Sequence, residues 1–108
     1  MVSSRDVGSP VVNLVDLAPY QPGSVVSKMI VKKASGTVTA FSFDTGELLS
    51  EHTTPFDAIV IGVDGVGDVT IGGTVHRVAA GQMLNLPGGQ PHAVRAVTQF
   101  KMLLVMLK

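Results

Sequence analysis

The stretch Gly81-Gln82-Met83-Leu84-Asn85-Leu86-Pro87-Gly88-Gly89-Gln90-Pro91-His92 decides the architecture. It holds a short apolar run, a reversal, and a second run that opens on a histidine. Proline cannot donate to a strand ladder, and glycine accepts backbone angles that other residues resist. The chain must therefore turn between Leu86 and His92. On either side the pattern repeats. Runs rich in β-branched residues occupy 25–31, 38–43, 59–63, 68–71, 74–78, 83–86, 92–97 and 100–107, and turn signals separate them. Ile71-Gly72-Gly73-Thr74 is the clearest hairpin, because a two-residue reversal needs positive φ. No segment keeps a helical period; one short turn is expected near Leu14 to Leu17. Many short strands at regular spacing predict an all-β sandwich or barrel. The final run, Phe100 to Leu107, is apolar on both faces and needs cover on both sides.

Composition narrows the function. The chain has 108 residues, which fits one domain. We expect a single barrel over residues 10–108 and a flexible, polar N-terminus over residues 1–9. Lys plus Arg number 8 and Asp plus Glu number 8, so no charge footprint points to nucleic acid or to an anionic membrane. Apolar residues make up 45% and charged ones 15%. Some apolar surface is then left for a partner, and a homodimer is expected through the outer faces of 102–107 and 11–17. There is no cysteine, which removes disulfides, thiolate ligands and a cysteine nucleophile. The first residues lack a basic start followed by an apolar run, and no apolar stretch reaches spanning length. A cytoplasmic location is the expectation. No serine nucleophile elbow or phosphate-binding glycine loop is present.

The chemistry rests on histidines. His92 closes the Pro87–Pro91 turn, and His52 ends an earlier segment. Two strands ending in histidine can bring both imidazoles to one point inside a small barrel. Imidazole is the commonest metal-binding side chain, and its ordinary pKa lies near neutrality. An everyday role, a barrel histidine bonded to a backbone carbonyl, stands beside that reading. His76 is expected to pack or face water, and Arg77 and Arg95 to be solvated or paired. Phe41, Phe43, Phe56, Met83, Met102 and Met106 are expected in the core, some of them lining a cavity at one mouth of the barrel.

The segment from Gly46 to Gly65 resembles the first cupin motif, G-x5-H-x-H-x3-E-x6-G, through Gly46, His52 and Gly65. The segment from Gly81 is similar to the second, G-x5-P-x-G-x2-H-x3-N, through Gly81, Pro87, Gly89 and His92; Ala96 stands where the closing Asn belongs. The resemblance implies a double-stranded β-helix, or jelly-roll barrel, often dimeric. In metal-bearing cupins the ligands would fall here on His52, Thr54, Ala58 and His92. A hydroxyl and a methyl group thus replace an imidazole and a carboxylate, which removes half the donor set. A bulge near Pro55 that turned Asp57 inward would give His52, Asp57 and His92, a set suited to iron, manganese, nickel or zinc. Glu51 is likewise one residue out of place.

Three functions follow. The first is a cupin that binds a small polar molecule with an incomplete metal site, using His52, His92, Thr54 and Gln90, with Thr53 as a further hydroxyl. The second is an enzyme of dioxygenase, isomerase or lyase type. It would be metal-dependent through His52, Asp57 and His92, or metal-free with the two histidines as acid and base. The third is a regulatory sensor-type cupin, which would need a partner for any action on DNA. The sequence favours the first.

Overall fold

The computed structural model describes residues 10–108; the expectation for residues 1–9 falls outside the described residues. The chain forms seven strands: β1 Val25–Lys33, β2 Gly36–Phe43, β3 Leu48–His52, β4 Asp57–Ile71, β5 Thr74–Ala79, β6 Met83–Leu86 and β7 His92–Leu107. A single 3-10 turn, Leu14–Asp16, stands where one was expected.

β4 and β7 pair antiparallel along almost their whole length. Each is long enough to serve two sheets. The first half of β4 pairs with β6 and the second half with β5. The first half of β7 pairs with β3 and the second half with β2, which also carries β1. The result is a first sheet ordered β1-β2-β7-β4-β6 and a second ordered β3-β7-β4-β5. This is the jelly roll that the cupin resemblance implies, within the sandwich or barrel that the strand spacing predicts.

The sequence pattern suggests two strands on either side of Asp64-Gly65 and two more on either side of Thr98-Gln99. Each pair is in fact one strand with an irregularity. Register slips between Gly62 and Asp64 and again between Gly65 and Gly67. Burial follows the slip: Ala58, Val60 and Gly62 face inward, then Gly67 and Val69 do. Extra residues in a strand bend it and raise its twist, so the bulge lets one strand cross from sheet to sheet. Thr98 satisfies the exposed ladder here. Its hydroxyl accepts the Val66 N–H at 3.0 Å and donates to Gln99 O at 2.8 Å.

The core lies between the sheets. Phe43, Val60, Val69 and Phe100 are fully buried, and the Phe43 and Phe100 rings lie 5.9 Å apart. Phe100 fills the bend because Gly67 leaves room: a Cβ at Gly67 would lie 2.5 Å from the Phe100 ring. Two expected core residues are outside it. Phe56 is 37% exposed and Met83 68% exposed. Phe56 sits in the β3–β4 connection, and Met83 lies on edge strand β6 beside outward-facing Ile61.

Residues ahead of β1 form a strap on the outer face of the first sheet. The Ser42 hydroxyl donates to Ala18 O at 2.8 Å, and Lys101 donates to Val15 O. Tyr20 donates to Asp64 Oδ2 at 2.6 Å while the Lys101 ammonium lies 4.6 Å from the Tyr20 ring centre. Burial, reinforced by the Asp64 carboxylate, pushes the Tyr20 phenol well above its ordinary pKa. Among the described residues no helix is long and apolar enough to cross a membrane.

The bend supplies a test. Gly67→Val drives two methyl groups toward the Phe100 ring, and overpacking of this kind costs about 3 kcal/mol. Thr74→Val, which keeps a β-branched side chain at an exposed strand position, is expected to cost less. Urea denaturation of both variants checks the order.

Candidate functional site

Register brings the two histidines together. In the β3–β7 ladder His52 stands opposite His92, and in the β4–β7 ladder Ile71 stands opposite His92 from the other side. Residues directly opposite in an antiparallel pair share a face. His92 shares its face with Val94 and Ala96, both in the core. The three side chains His52, His92 and Ile71 therefore form an inward row at the end of the second sheet. The imidazole centres lie 4.2 Å apart with their planes at 67°, an edge-to-face contact. His92 is only 5% exposed, whereas His52 opens to solvent.

The main chain sets the proton positions. His52 Nδ1 lies 3.1 Å from Ser50 O, and His92 Nδ1 lies 3.3 Å from Gln90 O. A carbonyl oxygen only accepts, so each Nδ1 carries hydrogen and each neutral ring keeps its lone pair on Nε2. Burial holds the His92 imidazole below its ordinary pKa. The bond to Gln90 O opposes this, and the neighbouring His52 charge adds to it.

Three loops frame the pair. In the β6–β7 loop, Gly89 N–H donates to Thr54 O at 2.7 Å and Gly88 N–H donates to Asp57 Oδ1 at 2.8 Å. A Cβ at Gly88 would lie 2.4 Å from Pro55 O, so only glycine allows the two loops to touch. The β4–β5 turn joins them through Gly72 N–H, which donates to Pro91 O at 2.9 Å. Gly72 and Gly73 have φ of 55° and 86°, the backbone that the Gly-Gly hairpin requires.

The remaining expected residues divide. Thr54 is half-buried, and its hydroxyl accepts the Phe56 N–H at 3.2 Å. Gln90 is exposed at the rim, with its side-chain carbonyl against Gly72. Its backbone oxygen serves His92. Ala58 is buried on the inner face, opposite Leu86 and Met106. The expected carboxylate ligand needs correction. The bulge falls between Leu49 and His52 rather than near Pro55. Asp57 immediately precedes inward Ala58 in a regular strand, so it faces outward. Its carboxylate holds the Gly88 N–H instead. Among the described residues no group of three or more His, Cys, Asp or Glu side chains is placed to hold a metal ion. Catalytic metal sites ordinarily keep three protein ligands and an open position. The residues present do not fit that centre.

Two contributors to the site are only partly legible in the sequence. A strand ending at His52 is expected, but its extent is not marked, because Leu48-Leu49-Ser50-Glu51-His52 lacks β-branched residues. Ile71 was read only as a hairpin flank, although its place before Gly72-Gly73 fixes it at the end of β4. His76 and Arg77 stand as the sequence suggests. His76 is exposed, and Arg77 pairs with Asp68 through bonds of 3.0 and 3.3 Å. A cleft of about 500 Å3 lined by Leu48, Val75 and Arg95 lies on the outer face of the second sheet, the side opposite to the imidazoles.

A family model described as the cupin domain matches residues 40–107. The chain is a cupin. A conserved protein of unknown function from Streptococcus pyogenes is 35% identical, with a TM-score of 0.88 over 93% of this chain and 88% of that one. A cupin 2 conserved barrel domain protein from Leptotrichia buccalis is 41% identical, with a TM-score of 0.81 over 83% of this chain. The match spans only 44% of the Leptotrichia chain. A cupin superfamily protein from Desulfitobacterium hafniense shares the fold at 23% identity, with a TM-score of 0.87 over 92% of this chain and 91% of that one. No match is found among curated proteins. The cupin barrel thus presents two close imidazoles where metal-bearing members would place more donors.

Two measurements test this geometry. Removing the acceptor in Asp57→Ala frees the Gly88 N–H and is expected to cost about 1 kcal/mol, the ordinary net worth of a hydrogen bond, since the site is exposed. Chemical denaturation reads this cost. The second measurement is pH-dependent. His92 binds its proton less readily when folded than when unfolded, so stability is full above the unfolded pKa near 6.5. It falls as pH drops through that value, because the unfolded chain takes the proton first. His92→Phe is expected to flatten this acid-side slope below the ordinary imidazole pKa, measured as the urea midpoint against pH.

Proposed function

We propose that this cupin binds a small polar molecule at the barrel mouth, with His52 and His92 as the recognition pair. One observation carries the reading: two imidazoles 4.2 Å apart, each with Nδ1 anchored to a main-chain carbonyl. Both Nε2 atoms are then acceptors in the neutral state. The guest they suit is a donor of hydrogen bonds, such as a polyol or a hydroxy acid with adjacent hydroxyls. The Thr54 hydroxyl spends a lone pair on Phe56 N–H and keeps its own proton to give. Gln90 adds an amide at the rim. Ile71 supplies an apolar wall beside His92.

A second reading has support from the unequal burial of the pair. His92 is held below its ordinary pKa and stays neutral at pH 7, as a general base must. The same site would then move a proton on its guest without a metal.

The test uses untagged protein. Metal content by mass spectrometry is expected to be well below one equivalent. Polyols and short hydroxy acids are then titrated while the histidine ring resonances are followed by NMR. The binding reading expects shifts at both rings that vanish in His52→Ala and His92→Ala. Stoichiometric iron, manganese, nickel or zinc that is lost in the double variant would overturn it. Turnover of a bound guest, with a pH–rate profile that titrates on His92, would establish the second reading.

A further inference from the structure

The outer face of the second sheet forms a trough with an opposite charge at each end. Ladder register defines its rows. Leu48, Arg95, Asp68 and Arg77 form one row across β3, β7, β4 and β5. Ala93, Thr70 and Val75 form the next. On β7 these residues alternate with buried His92, Val94 and Ala96, and on β4 with buried Gly67 and Val69. Their side chains therefore point away from the imidazoles. Ala93 and Thr70 stand on the two central strands, are small, and make a floor. Leu48 and Val75 stand on the two edge strands, are 55% and 59% exposed, and make the walls. The bulge in β3 sets Ser50 and Glu51 opposite Ala93, so Glu51 joins the lining.

Two charges in this trough have no partner. Arg77 holds Asp68 through bonds of 3.0 and 3.3 Å, so that pair is closed. Arg95 exerts only a weaker through-space pull on the same carboxylate. Among the described residues, the Arg95 guanidinium and the Glu51 carboxylate make no ion pair and no side-chain hydrogen bond. The Thr70 hydroxyl on the floor makes none either. The hollow beneath the N-terminal strap offers no such free groups at its centre, because its Lys101 is already held by Val15 O and the Tyr20 ring.

We infer that the trough binds an aliphatic dipeptide, with its terminal carboxylate on Arg95 and its terminal ammonium on Glu51. Length favours this guest. Arg95 and Ala93 lie two residues apart on β7, about 7 Å along the strand, and Glu51 stands opposite Ala93. Two residues of extended chain cover the same ~7 Å, whereas a single amino acid carries both charges on one carbon and cannot reach both ends. Width favours it too. Three strand spacings, roughly 14 Å, separate β3 from β5, which admits one peptide with its side chains against Leu48 and Val75. The volume of about 500 Å3 falls in the range of small-molecule sites.

The chemistry of the lining selects a zwitterion. Arg77 and Arg95 balance Asp68 and Glu51, so the trough has no net charge to draw a simple anion or cation. It has a dipole instead, positive at Arg95 and negative at Glu51, and a guest with the reverse dipole matches it. The planar guanidinium takes a carboxylate through two parallel bonds. Thr70 offers a hydroxyl to the peptide group between the two ends. The guest's aliphatic side chains cover Leu48 and Val75, which otherwise stand in water. Contacts between exposed charges are weak, so a dissociation constant of about 1 mM is expected.

Titration of the isotope-labelled full chain with alanyl-leucine, followed by NMR, tests the assignment. The amide resonances of Glu51, Thr70, Ala93 and Arg95 are expected to shift together and to saturate. Acetylating the peptide's amine, amidating its carboxylate, or using free leucine is each expected to weaken binding by about tenfold, the worth of one charge-assisted contact. Arg95→Gln is expected to weaken the free peptide by the same factor and to leave the amidated peptide unaffected, since that peptide has no carboxylate to lose. The capped peptides are compared on the wild-type chain, so the test stands even if Arg95→Gln does not fold. Absence of shifts at these amides, or capped peptides or leucine that bind as tightly as alanyl-leucine, overturns the inference. So does a folded Arg95→Gln chain that binds the free peptide undiminished. Resonances of the trough that move on dilution of the protein alone would mark a second copy as the occupant and overturn it as well.

Discussion

The pairing of β4 with β7 carries the molecule. Each strand is long, each serves both sheets, and their ladder runs from Asp57 against Leu107 to Ile71 against His92. Every other strand attaches to one or the other, β1 by way of β2. A ladder of that length twists, and an unbroken one would not fold back on itself to enclose a core. The slips at Gly62–Gly67 let it do so, and glycine is what makes them fit. A Cβ at Gly62 would lie 2.1 Å from Ala79 O, and one at Gly65 would lie 1.7 Å from Gln99 O. The close approach at these glycines lets the β5–β6 turn tuck against the bend, where Gly62 N–H donates to Gln82 O and Gly81 N–H donates to Gly62 O.

The candidate site is the far end of the same ladder. His92 opens β7 and Ile71 closes β4, so the pairing that builds the barrel also sets the inner wall of the mouth. β3 adds His52 to that wall through its own register with β7. The donors missing from the metal-bearing cupin pattern are not replaced by neighbours. Asp57, the natural substitute, is drawn into loop closure at Gly88, and Thr54 into its own turn at Phe56. What remains is a pair of acceptors in unlike surroundings, one buried and one wet.

Much of this was legible beforehand. Turn chemistry at Gly72-Gly73 and Pro87-Gly88-Gly89 marked the hairpin and loop beside the site, and the spacing of Gly81, Pro87, Gly89 and His92 marked the fold. The pairing of His52 with His92 followed from the same spacing. Continuity was not legible. Asp64-Gly65 carries an ordinary turn signal and Thr98-Gln99 interrupts the apolar run, and only tertiary pairing shows that the strands run through them. Nor was the facing of Asp57. That depends on whether a bulge lies before or after Pro55, and nothing local distinguishes the two. The tie of each imidazole to a carbonyl two residues back is a main-chain interaction, which residue type alone does not encode.

That tie has a consequence for how such a mouth diversifies. Because both rings are oriented by the backbone of their own strands, the acceptor pair does not depend on the side chains around it. Thr54 and Gln90, which lie nearer the surface than the buried Ala58, can then be exchanged at the opening while the imidazole pair stays in place. The same scaffold can change its upholstery and leave its frame alone.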